Sequence, residues 1–98
     1  MQIIQDSTFE NELKKILRYI ATDSKIKAKK FNNLLFQKIK NLTYMPYKYR
    51  KSIYYNSDNV RDLIFKGYTV PYLIDEDKEQ IVVLDIFKWI DKQNYLSF

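Results

Sequence analysis

The chain has no histidine and no cysteine. Without histidine it lacks the commonest general base near neutral pH and the commonest zinc ligand. Serine–histidine and cysteine–histidine nucleophile pairs are excluded with it. Without cysteine there are no disulfides and no thiolate metal site, a composition that suits the cytoplasm. No metal or other cofactor is expected. No apolar run is long enough to cross a bilayer. The first residues, MQIIQDS, carry neither a basic region nor an apolar stretch, so no secretory signal is expected. There is one glycine, Gly67, and two prolines, Pro46 and Pro71. Each is therefore informative about the backbone around it.

What is present is a chain of 98 residues, 46% hydrophobic and 30% charged, with net charge +5. One domain spanning residues 1–98 fits that length. A basic balance favours anionic partners such as nucleic acid, an acidic protein segment or a membrane surface. The same lysine excess is also what solvated faces carry in a chain rich in Lys, Asn, Ile and Tyr.

The organising stretch is Val60 to Ile86. Three runs rich in β-branched and aromatic residues, Val60–Phe65, Tyr68–Ile74 and Gln80–Ile86, are separated by Lys66-Gly67 and by the charged run Asp75–Glu79. This predicts an antiparallel three-stranded meander, with Gly67 supplying the positive φ of a tight hairpin. The third run, apolar at Val82, Val83, Leu84 and Ile86, reads as a central strand buried on both faces. Pro71 donates no hydrogen bond, so it implies a bulge or an edge.

Upstream, Gln2–Gln5 reads as a strand. Ser7 and Glu10 have the spacing of a capping box that starts a helix. Phe9, Leu13, Ile16, Leu17 and Ile20 form its apolar stripe. Asp23 or Ser24 caps a second helix, whose stripe is Ala28, Phe31, Leu35, Ile39 and Leu42. Pro46 is expected to stop it. The short connection makes the helices an antiparallel pair lying on the sheet. The fold class is α+β: an N-terminal strand, then a two-helix hairpin packed on a mainly antiparallel sheet that ends in the meander.

Two features leave alternatives open. Tyr44–Tyr55 interleaves tyrosines with Lys48, Arg50 and Lys51. That mixture suits single-stranded nucleic acid, and it equally suits a loop with an edge strand over Ser52–Tyr55. Arg61 and Asp62 lie side by side in an apolar strand, so they point to opposite faces. Arg61 is then either solvated near the strand's end or partly buried with a carboxylate partner.

The order of strand, helix hairpin, proline and meander resembles the RelE/ParE superfamily of toxins from type II toxin–antitoxin systems. The helical half is similar to the ParE branch: a helix ending in Tyr19-Ile20-Ala21, a small Asp/Ser break, a second helix, then a proline. Arg61, Leu63, Gly67, Tyr68, Tyr72 and Asp75 follow the family's order in the meander. The resemblance implies a growth-arresting cytoplasmic toxin that is neutralised by a cognate antitoxin in a hetero-oligomer. ParE-like members bind and inhibit DNA gyrase without chemistry of their own. The implied target-binding residues are Arg50, Lys51, Arg61, Lys66, Lys88 and Trp89. RelE-like members instead cut mRNA on the ribosome by 2′-hydroxyl attack. The residues left for that role are Arg61, Lys88, Lys92 and Tyr95. The chain departs from the nuclease pattern, with Thr69 after Gly67-Tyr68 and no arginine after the last strand, so the resemblance leans away from an enzyme.

Overall fold

The computed structural model describes residues 1–88. Chain order is β1 (Gln2–Gln5), α1 (Ser7–Asp23), α2 (Lys25–Asn41), β2 (Val60–Phe65), β3 (Tyr68–Asp75), β4 (Gln80–Val83) and β5 (Phe87–Lys88). The strands form one sheet in the order β1-β4-β3-β2, and β5 also pairs with β3. Among the described residues only the β1–β4 pair is parallel, with Gln2 opposite Gln80. The class is α+β.

Helix α1 starts on Asp6 rather than on a Ser7 capping box. Asp6 is still tied to the sheet by its N–H to the Val83 carbonyl, 2.9 Å. Its extended backbone therefore meets the first turn directly, and its carboxylate accepts the Thr8 N–H at 2.9 Å. Ser24 closes α1 and opens α2: its N–H reaches the Ile20 carbonyl and its hydroxyl accepts from the Lys27 N–H. Helix α2 ends at Asn41, well before Pro46. Its last bonds tighten to the i−3 carbonyl at Leu42, Thr43 and Tyr44, so the chain has already left the α-helix when it reaches the proline.

The core lies between the helix hairpin and one face of the sheet. Phe9, Leu13, Phe31, Leu35, Ile39 and Leu42 from the helices meet Leu63, Phe65, Val70, Tyr72, Ile74, Ile81 and Val83 from the strands. Phe31 packs edge-on against both Phe65 and Tyr68, which places that side of the sheet under the helices.

The third apolar run does not continue as one strand to Ile86. β4 stops at Val83 and β5 begins at Phe87, both on the same edge of β3. Tyr72 faces Val83 but Thr69 faces Phe87, so the second strand carries one extra residue. The cause is Pro71. Its carbonyl accepts the Leu84 N–H at 2.9 Å, so its nitrogen faces the same neighbour and has no hydrogen to give. The ladder breaks there and a bulge forms. β4 is central, between β1 and β3. Ile81 and Val83 are buried, while Gln80 and Val82, which face away from the helices, are only half-buried. The run of apolar letters thus hides one buried face and one partly covered face.

Lys66 and Gly67 make the β2–β3 turn with φ of 48° and 83°. Two successive positive φ values are the type I′ geometry that matches strand twist. Residues 89–98 lie outside the described residues, and with them the expectations placed on Trp89, Lys92 and Tyr95.

Candidate functional site

The longest irregular segment, residues 42–59, crosses from α2 to β2 and folds around the free edge of β2. It forms no strand over Ser52–Tyr55. Its one β-bridge among the described residues joins Lys51 to Arg61, flanked by the Ser52 N–H on the Val60 carbonyl and the Asp62 N–H on the Arg50 carbonyl. Before the bridge the segment lies on the helix-facing side, and after it on the opposite side. Arg61 and Asp62, adjacent and oppositely directed, pin these two halves.

On the helix-facing side, Arg61 Nη1 donates to the Tyr49 carbonyl at 3.1 Å and reaches the Tyr47 carbonyl at 3.5 Å. Its guanidinium sits 5.0 Å from the Tyr47 ring centre. Tyr72, fully buried, donates from its hydroxyl to the Pro46 carbonyl at 2.6 Å and meets Tyr49 edge-on. Tyr47 donates to Glu76 at 2.8 Å. On the far side, the fully buried Asp62 accepts the Ile53 N–H at 3.2 Å, and Arg50 lies 3.6 Å from the same carboxylate oxygen. Tyr54 stacks edge-on against Phe87 at 5.0 Å. Arg61 is thus half-buried, but its partners are main-chain carbonyls and a ring instead of a carboxylate. The tyrosine-rich stretch spends much of its aromatic and cationic chemistry on holding itself to the sheet.

The tyrosines with perturbed ionisation all move the same way. Burial holds the Tyr72 phenol well above the ordinary tyrosine value, against the opposing pull of Arg61. The hydrogen bond to Glu76 raises Tyr47. Burial, with Asp85, Asp6 and Asp62 nearby, raises Tyr55. A raised phenol is a weaker source of phenolate at neutral pH, the opposite of what a general base needs.

The residues expected to share a site fall at two ends of the sheet. Lys51 and Arg61 are at the level of Tyr72, with Arg50 beside them. Lys51 forms an exposed ion pair with Asp58 at 3.3 Å. Lys88 faces Tyr68, and Lys66 is in the turn just before it. Tyr68 and Tyr72 are four residues apart along one strand, roughly 13 Å. Arg61 and Lys88 are therefore not brought together. At the Lys88 end a groove of about 490 Å³ opens between α1 and β5, lined by Lys15, Tyr19, Tyr68 and Lys88 among others. Lys88 Nζ lies 5.8 Å from the centre of the Tyr19 ring. Tyr19 was read from the sequence only as part of a helix ending; its 71% exposure could have been anticipated because it falls off the apolar stripe. Among the described residues no cluster of acidic side chains could hold a metal ion, and no helix is long and apolar enough to cross a membrane.

Residues 3–88 match the family described as ParE toxin of type II toxin–antitoxin system, parDE. The chain belongs to the ParE toxin family. A solved structure titled as the chromosomal ParDE TA system from P. aeruginosa shares the fold, with a TM-score of 0.71 over 90% of this chain and 95% of that one. At 18% identity the likeness speaks for the architecture alone. No curated protein matches the chain significantly. This ParE-type toxin therefore has the strand, helix hairpin and meander order that the solved structure shares.

Proposed function

We propose that this ParE-family toxin acts by binding, with DNA gyrase as its target, and is neutralised by an antitoxin protein in a hetero-oligomeric complex. The observation that supports binding over chemistry is the engagement of Arg61. The arginine that a phosphoryl-transfer site would need is clamped on two carbonyls and a ring, roughly 13 Å along the sheet from Lys88. A cleavage site needs a base, an acid and positive charge converging on one phosphate. The target surface in this reading is the Lys66–Lys88 end of the sheet, where both lysines are exposed and the groove beside Tyr19 adds apolar area. Aromatic and cationic groups around a concave centre are what a binding hot spot uses.

The test is a supercoiling assay with purified gyrase beside an RNA-cleavage assay on ribosomes, each with the purified toxin. Inhibited supercoiling with intact RNA supports the proposal. RNA cleavage at lower toxin concentration than any effect on gyrase defeats it. Lys88→Glu should relieve gyrase inhibition without lowering the melting temperature.

A further inference from the structure

We propose that the outward face of α2 binds duplex DNA, lying in the major groove over A·T base pairs. The inference goes beyond the proposed function and does not rest on it, since none of its residues belongs to the Lys66–Lys88 end of the sheet.

Helix α2 runs from Lys25 to Asn41 and buries Ala28, Phe31, Leu35 and Ile39. At about 100° per residue, the opposite face carries Ile26, Asn33 and Gln37 along its centre. Lys29 and Lys40 flank that line on one side, and Lys30 flanks it on the other. All these side chains are exposed, Ile26 to 82%. Between them lies a shallow concavity of about 310 Å³, lined by Ile26, Lys29, Lys30, Asn33 and Gln37 among others. The helix has no acidic residue. Asp23 answers Lys27 at 3.2 Å, but Lys29, Lys30 and Lys40 form no ion pair among the described residues.

Local rules do not account for this face. Lys25 and Lys27 stand in the first turn, where the helix dipole favours carboxylates, and Lys25 and Lys29 are like charges one turn apart. Asparagine is a poor helix former, and the Asn33 amide, exposed in mid-helix, receives no hydrogen bond in return among the described residues. Departures from local consistency that collect on one face mark a functional surface.

The chemistry of the face selects the ligand. Asparagine and glutamine amides present a donor and an acceptor side by side, the complement of adenine N7 and N6. Exposed aliphatic carbon, here Ile26, suits the thymine methyl group. Lysines on both flanks suit phosphates on both walls of a groove. A helix with its side chains is about 10–12 Å across, and the B-form major groove is about 12 Å wide. From Ile26 to Gln37 the central line measures roughly 16 Å, about five base-pair steps. An acidic protein segment would answer the lysines and leave the amides without a bidentate partner. Duplex RNA would do the same, because its major groove is too deep and narrow for side chains to read.

The test is fluorescence anisotropy with the whole purified toxin and four probes: an A·T-rich DNA duplex, a G·C-rich DNA duplex, the RNA duplex of the A·T-rich sequence, and a polyglutamate peptide. The A·T-rich duplex should bind about tenfold or more tighter than each of the others at equal salt. Lys29→Gln/Lys30→Gln/Lys40→Gln should lose about tenfold or more in affinity, and its slope of log K against log salt should become shallower by about 2.7, for three phosphate contacts. Asn33→Ala/Gln37→Ala should keep the salt slope and lose the preference for A·T. The substituted positions are exposed, so both variants should melt at or above the wild-type temperature, and the comparison of the four probes needs no variant. Equal binding of the DNA and RNA duplexes, tighter binding of polyglutamate, wild-type affinity in the lysine variant, or an A·T preference that survives loss of both amides overturns the proposal. Because binding is read without gyrase, either result leaves the gyrase reading to its own assay.

Discussion

Replacing Arg61 by methionine separates a fastener from a contact residue. Methionine keeps the aliphatic stem and removes the guanidinium. The loss comprises one charged hydrogen bond, to the Tyr49 carbonyl at 3.1 Å, and a marginal one, to Tyr47 at 3.5 Å. The charged bond contributes about 1.5–3 kcal/mol. The ring contact at 5.0 Å adds about 0.5–1 kcal/mol. Part is returned, because Arg61 Nε is buried without a partner and its removal relieves a desolvation cost. The net is a destabilisation of about 2 kcal/mol, which in a domain of this size lowers Tm by about 8–16 °C. Circular dichroism melts measure it. Trypsin digestion adds a local readout, since Lys48, Arg50 and Lys51 lie in the segment that Arg61 pins, and cleavage there should accelerate more than elsewhere. Toxicity at a temperature where the variant is folded should be close to wild type. A melting curve superimposable on wild type, together with lost toxicity, would refute the reasoning and make Arg61 a target contact.

Other outcomes follow from the same geometry. Asp6→Ala should cost about 1 kcal/mol in urea unfolding because it removes the α1 cap, whereas Ser7→Ala should be nearly silent. Lys66→Asn should raise Tm, since asparagine tolerates φ of 48° better than lysine, while weakening the proposed gyrase inhibition through the lost charge. The Tyr72 phenol is held above its unfolded value, so the stability it contributes is complete below about pH 10 and is lost as pH rises from there toward the folded value. Denaturant titrations across that alkaline range should show a shallower decline for Tyr72→Phe than for wild type. Tyr72→Phe should also lose about 1 kcal/mol at neutral pH with its hydrogen bond to Pro46.

Much of the fold was legible because its determinants are periodic and local. The stripes of α1 and α2 and the β-branched and aromatic runs of β2 and β3 each point one way along the chain. Gly67, by its conformational freedom, announced a turn, and Pro71, by its missing N–H, announced a bulge or an edge. What was hidden depends on partners distant in sequence. Asp6 became the cap because its N–H is held by Val83, seventy-odd residues downstream. The end of β4 follows from a proline in the neighbouring strand. Arg61 and Asp62 looked like a conflict because no local rule supplies a loop that wraps an edge and approaches both faces. The candidate site was legible only as residue types. Lys66 and Lys88 share one end of the sheet through strand register, and the α1 groove exists only once Tyr19 meets β5.

The parallel pairing of β1 with β4 bears on how the toxin comes into being. Gln2 finds its partner in Gln80, its neighbour in the sheet but far along the chain. During synthesis α1 and α2 emerge long before the strands that cover them, so their apolar stripes wait exposed while β1 remains an unpaired strand. Contacts so far apart in the chain are slow to close. A nascent chain in this state cannot yet present the assembled sheet end, and it is the stage most open to capture by another protein. On the proposed target surface, activity then waits for the late arrival of β4 and β5 and does not begin with the appearance of the helices.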